Sequence, residues 1–126
     1  MRRMKVATVI VRLFLGLIFV VFGMNAFLHY MPMPEMPGPK GQFIGAMAAT
    51  GYLQFVAAFQ VIGGLFLLIG RYAPLGLTLL GPVIVNIVIY HLCMDISGMA
   101  VAVVVTVLEA FLIWRYWPAF AGVLRA

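Results

Sequence analysis

The sequence has very few charged residues for its length. Only 9% of its 126 residues are Asp, Glu, Lys or Arg, and just three of them are acidic. An ordinary soluble domain is about 25% charged and about 45–50% apolar, whereas this chain is 66% apolar. Too few charges are present to cover the surface of a soluble fold of this size. The composition therefore excludes a water-soluble enzyme and a disordered chain, and it predicts an integral membrane protein.

Cysteine is also scarce, and the basic residues form no long cluster. Cys93 is the single cysteine, so the sequence allows no disulfide within the chain and contains no CxxC motif. We expect Cys93 to behave as a small buried apolar residue. The net charge is +5, but the longest basic cluster is Arg2, Arg3 and Lys5. This pattern is not typical of a nucleic-acid-binding surface, and no nucleic-acid partner is expected.

Four apolar segments are long enough to cross a bilayer, which requires about 20 mostly apolar residues. These segments cover about residues 6–28, 52–69, 74–94 and 99–118. They predict an all-α, integral membrane four-helix bundle that forms a single domain over residues 1–126. A cleaved signal peptide is the alternative for the first segment. Arg12 interrupts that segment, however, and no clear small-x-small cleavage site follows it.

Prolines and glycines separate the four segments. Residues 31–41 contain four of the seven prolines. An extended loop is predicted there, because proline removes a backbone donor and restricts the residue before it. A short interfacial helix is compatible with residues 43–50. We expect Gly70 to end the second span, Pro74 to open the third and Ser97 to cap the fourth.

The basic residues predict the orientation of the chain. Because four spans return the chain to its starting side, both termini lie on one side of the membrane. Six basic residues belong to that side: Arg2, Arg3, Lys5, Arg71, Arg115 and Arg125. Only Lys40 lies clear of the membrane on the other side. The excess of Lys and Arg predicts that both termini are cytoplasmic, and that the proline-rich loop and Asp95 are outside.

Two charged residues fall inside the predicted spans, where a charge is costly and usually paired. Arg12 and Glu109 are expected at similar depths, toward the cytoplasmic ends of the first and fourth spans. We predict an intramembrane ion pair between them that ties these two helices together. Two alternatives are a pair with a purely structural role and an Arg12 side chain that extends to the cytoplasmic surface.

An uncharged polar group lies toward the outer ends of the first three spans. It consists of Asn25, His29, Gln54, Gln60, Asn86, Tyr90 and His91. Asn25 and His29 are four residues apart and share a helix face. Two interpretations stay open: the members of the group form hydrogen bonds between helices, or they line a ligand pocket beneath the proline-rich loop. The histidines lack the spacing of a metal site and none is predicted, although a pair of axial haem ligands is geometrically conceivable.

Small residues at helix faces allow membrane helices to pack closely. Gly16 and Gly23 recur at seven-residue spacing on the first span, and Gly63 and Gly64 are adjacent on the second. We expect all four to serve helix packing.

Several of these motifs together resemble the DoxX and DoxX-like family of small membrane proteins. The first span and the loop after it carry VRLFLGLIFVVFGMNAFLHYMPMP, with Arg12, Gly16 and Gly23. The second span carries FQVIGGLFLLIGR, which resembles the family's helix leading to a glycine-arginine turn. Pro82, Asn86 and the Tyr90-His91 pair resemble its third helix. Gln60 departs from the pattern, because many relatives have a glutamate there.

The resemblance implies a four-helix bundle in a bacterial or archaeal cytoplasmic membrane. Some members of the family are linked to thiosulfate:quinone oxidoreductase. By analogy, we expect a non-catalytic subunit, or a module that binds a quinone or lipid, in a membrane redox system. The chain has no flavin, nicotinamide or iron–sulfur signature. The alternatives are a quinone-linked oxidoreductase component and a small-solute transporter. The expected partners are the bilayer and other membrane or redox proteins, and a homo-oligomer is compatible with the sequence.

Overall fold

The computed structural model describes residues 2–30 and 36–124. Within these ranges the chain forms six α-helices and no strand. The helices are α1 (Arg2–Leu28), α2 (Pro39–Thr50), α3 (Tyr52–Ile69), α4 (Ala73–Cys93), α5 (Met99–Arg115) and α6 (Trp117–Phe120). Short 3-10 helices at Ile96–Gly98 and Ala121–Leu124 complete the described structure.

Four of these helices, α1, α3, α4 and α5, are long and apolar enough to cross a membrane. They correspond to the four segments predicted from the sequence, so the all-α prediction is confirmed. The fourth segment is divided, because the chain leaves α5 at Arg115 and Pro118 lies in the first turn of the separate helix α6.

The four long helices pack in a ring. Helix α1 packs on α3, α3 on α4 and α4 on α5, and α5 returns to α1. Leucines fill the centre, with Leu15, Leu67, Leu80 and Leu112 all fully buried. Large apolar side chains such as Phe55, which is 74% exposed, cover the outside. Such an apolar outer face suits contact with lipid acyl chains. The backbones can also lie in lipid, because each helix satisfies its own hydrogen bonds.

Glycines bring the backbones of neighbouring helices into contact. A Cβ atom on Gly16 would lie 2.8 Å from the carbonyl oxygen of Gly64, and one on Gly64 would lie 2.8 Å from that of Gly16. Gly63 of α3 and Gly76 of α4 form a second reciprocal contact, and Gly23 packs closely against α3. The packing role predicted for Gly16, Gly23, Gly63 and Gly64 is confirmed.

The turn between α3 and α4 follows the predicted pattern. Gly70 adopts a left-handed conformation with φ 81°, and its N–H donates to the carbonyl of Phe66 at 3.0 Å. Pro74 lies in the first turn of α4. This turn, the start of α1 and the end of α5 form one end of the bundle, the "termini end"; the opposite end, where α2 lies, is the "α2 end".

Three local predictions are wrong. Residues 39–41 are helical, because proline fits the first turn of a helix, where its missing N–H needs no partner. Residues 31–35 of the predicted loop lie outside the described residues. The Ser97 hydroxyl donates to Asp95 Oδ1 at 2.6 Å and does not cap α5. Cys93, the last residue of α4, is exposed and not buried.

Candidate functional site

A cavity of about 910 Å³ lies toward the α2 end, and α1, α2, α3, α4 and α5 all contribute to its walls. Its volume is at the upper end of the range of small-molecule sites, about 300–1,000 Å³. Most of the wall is apolar, including Phe19 and Phe22 of α1, Leu53 and Val56 of α3, and Ile87 of α4. The cavity can therefore accommodate an apolar molecule.

Four polar side chains of the predicted pocket line this cavity. Gln60 comes from α3, and Asn86, Tyr90 and His91 come from the second half of α4. Asn86 and Tyr90 are four residues apart and therefore lie one turn apart on the same face of α4. Three of the polar residues in the wall therefore lie on α4, and the others, Thr50, Tyr52 and Gln60, lie on α2 and α3.

The other three predicted pocket residues do not line the cavity. Asn25 is half-buried in α1, one turn beyond the cavity wall at Phe22. His29 is exposed just after α1, with φ 54° and its backbone N–H donating to the Asn25 carbonyl at 2.9 Å. The buried Oε1 of Gln54 has no hydrogen-bond partner within the described ranges. Asn25 and His29 lie beyond the part of α1 that forms the wall, which consists of Ile18, Phe19 and Phe22. Gln54 follows Leu53, which lines the cavity, but does not line it itself.

Hydrogen bonds fix two of the polar side chains on α4. Asn86 Nδ2 donates to the carbonyl of Pro82 at 2.9 Å, which leaves the amide oxygen of Asn86 free to accept. His91 Nδ1 lies 3.0 Å from the carbonyl oxygen of Asp95. Because a carbonyl only accepts, this hydrogen bond selects the tautomer with the proton on Nδ1, which leaves Nε2 as an acceptor. The His91 ring lies directly over Gly98, where any side chain would collide with it.

Helix α2 forms a cavity wall that the sequence did not predict. Phe43, Ile44 and Met47 line the cavity from this helix. The Phe43 ring stacks on Tyr90 with centroids 5.9 Å apart, and the Tyr90 ring meets the His91 ring edge-on at 5.1 Å. The spacing of Phe43 and Met47, one helical turn apart, is a signal that could have identified this face.

An ion pair joins the start of α2 to the turn between α4 and α5. Lys40 Nζ lies 3.5 Å from Asp95 Oδ1. The hydrogen bond from Ser97 and the charge of Lys40 hold the pKa of the Asp95 carboxyl below its ordinary value of 3.8. Since α2 forms a wall of the cavity, this contact also helps to hold that wall in place.

The Asp95 contact predicts a small pH-dependent contribution to stability. A carboxyl whose pKa is lowered by folding stabilises the fold above its unfolded pKa, and loses that contribution as the pH falls through the folded pKa. We expect Asp95→Asn to lower the melting temperature at about pH 7, and the difference from wild type to shrink at a pH below the lowered pKa of Asp95. Thermal unfolding in detergent at both pH values measures this. A difference that is the same at both would contradict it.

The predicted ion pair between Arg12 and Glu109 is not formed. Glu109 is only 5% exposed, and neither carboxylate oxygen has a hydrogen-bond partner among residues 2–30 and 36–124. Its Oε2 faces α4, 3.5 Å from the position of a Cβ on Gly81. The Arg12 guanidinium instead packs on Gly70, with Cζ 2.9 Å from a Cβ position there. Helix α1 turns Arg12 toward the end of α3, where the partial negative charge of the helix attracts a cation.

Within the described ranges, no three His, Cys, Asp or Glu side chains come together as a metal site would require. The cavity itself offers hydrogen-bond donors and acceptors beside an apolar wall.

Four apolar spans closed into a ring, with an apolar cavity at one end, define a small multi-pass membrane protein of the helical-bundle class. The family model of DoxX matches residues 7–92, which include the four residues of the predicted pocket that line the cavity. The chain belongs to the DoxX family. It is similar to YwoB, an uncharacterized protein of Bacillus subtilis (strain 168), with 32% identity over 123 residues, covering 90% of this chain and 79% of the relative. No solved structure gives a significant match.

Proposed function

We propose that this protein binds one lipophilic molecule with a small polar head, an isoprenoid quinone or a lipid, in the cavity at the α2 end. The observation that carries the proposal is the composition of the cavity wall. A volume of about 910 Å³ is bounded mainly by apolar side chains, and α4 contributes three of its polar groups, Asn86, Tyr90 and His91. A ligand with a long apolar tail and a polar head would match this wall, with its tail along the apolar side chains and its head at the polar groups.

The polar groups suit a quinone in both of its redox states. The Tyr90 hydroxyl and the second N–H of Asn86 are donors for a quinone carbonyl. His91 Nε2 and the amide oxygen of Asn86 are acceptors for the hydroxyl of a quinol. The aromatic rings of Phe43 and Tyr90, which already stack on each other, offer an apolar edge for the head group.

The wall of the cavity provides a route from the bilayer. Phe22 is 57% exposed, Phe59 49% and Ile89 50%, although all three also line the cavity. These side chains would face lipid acyl chains in a membrane, so a ligand could enter sideways without crossing the aqueous phase. Such access favours a lipid-soluble ligand over a soluble metabolite.

The cellular setting follows from the charge bias and the family resemblance. We place both termini in the cytoplasm of a bacterial or archaeal cell, which puts the cavity in the outer half of the cytoplasmic membrane. There the protein would act as a single-domain, non-catalytic subunit that holds a quinone or lipid for a membrane redox system. The resemblance to family members linked to quinone oxidoreductases supports this role as an analogy.

Lipids that remain bound through purification test the proposal. We expect liquid chromatography with mass spectrometry to find one quinone or lipid enriched with the wild-type protein over the detergent-solubilised membrane. Ile87→Trp fills the cavity and should remove most of this ligand. Val85→Trp, two residues away on the same helix but on an exposed face outside the cavity, is the matched control and should retain it.

Removal of the polar groups should weaken binding less than filling the cavity. Each lost neutral hydrogen bond is worth about 1 kcal/mol, or about fivefold in affinity. Tyr90→Phe combined with His91→Leu should therefore lower ligand retention by more than about tenfold. A wild-type preparation without an enriched lipid or quinone, or equal retention by Ile87→Trp and Val85→Trp, would refute the proposal.

A further inference from the structure

A second cavity, of about 320 Å³, lies at the termini end of the bundle, far from the one described above. Three of the residues that line it are cations: Lys5 and Arg12 from α1, and Arg115 from the last turn of α5. Thr8 and Tyr116 add two hydroxyl groups to the wall, and no acidic residue lines it. Positive charge is therefore concentrated at this site.

These cations have no anionic partner within the described ranges. The sequence contains only three acidic residues, Glu35, Asp95 and Glu109. Asp95 pairs with Lys40 at the α2 end, and Glu109 forms no ion pair within the described ranges. Glu35 lies outside the described residues. Positive groups that converge at the edge of an apolar bundle repel one another, and an anion bound between them would relieve that repulsion.

The side chains are held in place for such an anion. Arg115 Nε donates to Thr8 Oγ1 at 2.9 Å, and Thr8 in turn donates to the carbonyl of Met4 at 2.7 Å. The Arg115 guanidinium also lies 5.8 Å from the centre of the Trp114 ring. These contacts occupy Nε and one face of the guanidinium. Its two amino groups have no hydrogen bond to any described residue, and they remain available to a ligand.

Arg12 adds a polar atom that nothing satisfies. Its Nε is buried and has no hydrogen-bond partner among residues 2–30 and 36–124. Its guanidinium is confined against Gly70, because that residue has no side chain. A buried donor without a partner is costly unless a ligand or water supplies an acceptor.

We propose that this cavity binds a phosphate group, either the head group of an anionic phospholipid or free inorganic phosphate. Guanidinium groups match phosphate oxygens with paired hydrogen bonds, and lysine adds a point charge. Arg115 is the last residue of a membrane-spanning helix and Lys5 lies in the second turn of another, so the cavity lies at the level of lipid head groups. Basic pockets between transmembrane helices at this level are suited to anionic lipid heads.

Thermal unfolding of the purified protein with added lipid tests the site. Phosphatidylglycerol should raise the melting temperature of the wild-type protein, and phosphatidylcholine, whose head group has no net charge, should not. Loss of one cation is expected to weaken binding about fivefold, so Lys5→Gln combined with Arg115→Gln should weaken it by about twentyfold or more. The effect should also decrease as the salt concentration rises.

A cation at the same end of the bundle supplies the matched control. Arg71 is exposed in the turn between α3 and α4 and does not line the cavity, so Arg71→Gln should bind phosphatidylglycerol as the wild type does. Arg115→Lys, which keeps the charge but not the fork of donors, should bind with intermediate affinity. It also provides a milder variant if the double variant does not fold.

Inorganic phosphate separates the two sources of the ligand. If free phosphate stabilises the protein and displaces phosphatidylglycerol, the site binds the free ion; if only the lipid stabilises it, the site binds a lipid head group. Equal binding of phosphatidylglycerol by the wild type and the Lys5→Gln, Arg115→Gln variant would overturn the proposal. An equally large loss with Arg71→Gln would also overturn it, because attraction would then come from general surface charge.

Discussion

Replacement of Gly16 by leucine is expected to prevent the bundle from assembling. The contact between Gly16 of α1 and Gly64 of α3 is a contact between two backbones, and even a Cβ on Gly16 would lie 2.8 Å from the Gly64 carbonyl oxygen. Leu67 Cβ and Leu68 Cγ, each 3.1 Å from the same position, close the space on either side. A rotation of side chains cannot relieve such a collision, so the helices would have to separate.

The size of the effect follows from the extent of the α1–α3 interface. The interface between α1 and α3 is the most extensive one between two helices in the described structure. Overpacking a well-packed core typically costs about 1–3 kcal/mol of folding free energy. Gly16→Ala should cost an amount within that range, because its Cβ would meet the backbone of α3. Gly16→Leu adds three further carbon atoms at the same point, and it should exceed the free energy available for folding.

Size-exclusion chromatography and thermal unfolding in detergent measure both variants. Gly16→Leu should aggregate, and Gly16→Ala should unfold at a lower temperature than the wild type. Gly45 of α2 is the matched control, because nothing lies within 4 Å of a Cβ there. Gly45→Ala should be neutral or slightly stabilising, since alanine favours a helix over glycine by about 1 kcal/mol. A Gly16→Ala variant as stable as Gly45→Ala would contradict the close packing.

Sequence patterns predicted the helices more fully than the contacts between them. Helix α3 was predicted at the residues where it is observed, because Gly51 and Gly70 interrupt an apolar run. The packing role of Gly16 and Gly64 was also predictable, since small residues permit close approach. The partner of Gly63, Gly76 of α4, was not predicted, because spacing within one helix does not specify which neighbour it meets.

The candidate sites show the same limit. Asn86, Tyr90 and His91 were predicted together because they lie within one and a half turns of α4. Asn25 and His29 were expected at a similar depth. How far a cavity extends, however, depends on how the helices pack against one another, which spacing along a helix does not specify. The basic cavity at the termini end joins Lys5 to Arg115, and so large a separation along the chain leaves no pattern in a single sequence.

The Arg12–Glu109 prediction is wrong because it considered how deep each residue lies in the membrane, but not the direction in which its side chain projects from the helix. Both residues were expected at a similar level, yet Arg12 turns toward α3 and Glu109 toward α4. Burial of the Glu109 carboxyl group therefore costs folding free energy, and no partner within the described ranges offsets that cost. Its neighbours one turn away on either side, Val105 and Leu112, are both buried and apolar.

Replacement of Glu109 by leucine is consequently expected to stabilise the protein. Leucine fills a similar volume, and it removes a buried polar group whose lack of a partner costs about 1–3 kcal/mol. We expect the melting temperature in detergent to rise by several degrees. Glu109→Gln keeps an uncompensated polar group in the same place and serves as the control, which should gain much less.

A double-mutant cycle with Arg12→Leu separates this account from an ion pair. Residues that do not touch should contribute additively, so the effects of Arg12→Leu and Glu109→Leu should sum to within about 0.5 kcal/mol. An ion pair in lipid would behave differently, because removal of either partner alone would leave a buried charge, and each single variant would be destabilised. Destabilisation by Glu109→Leu, together with a coupling energy above about 1 kcal/mol, would show that the two side chains meet in the membrane.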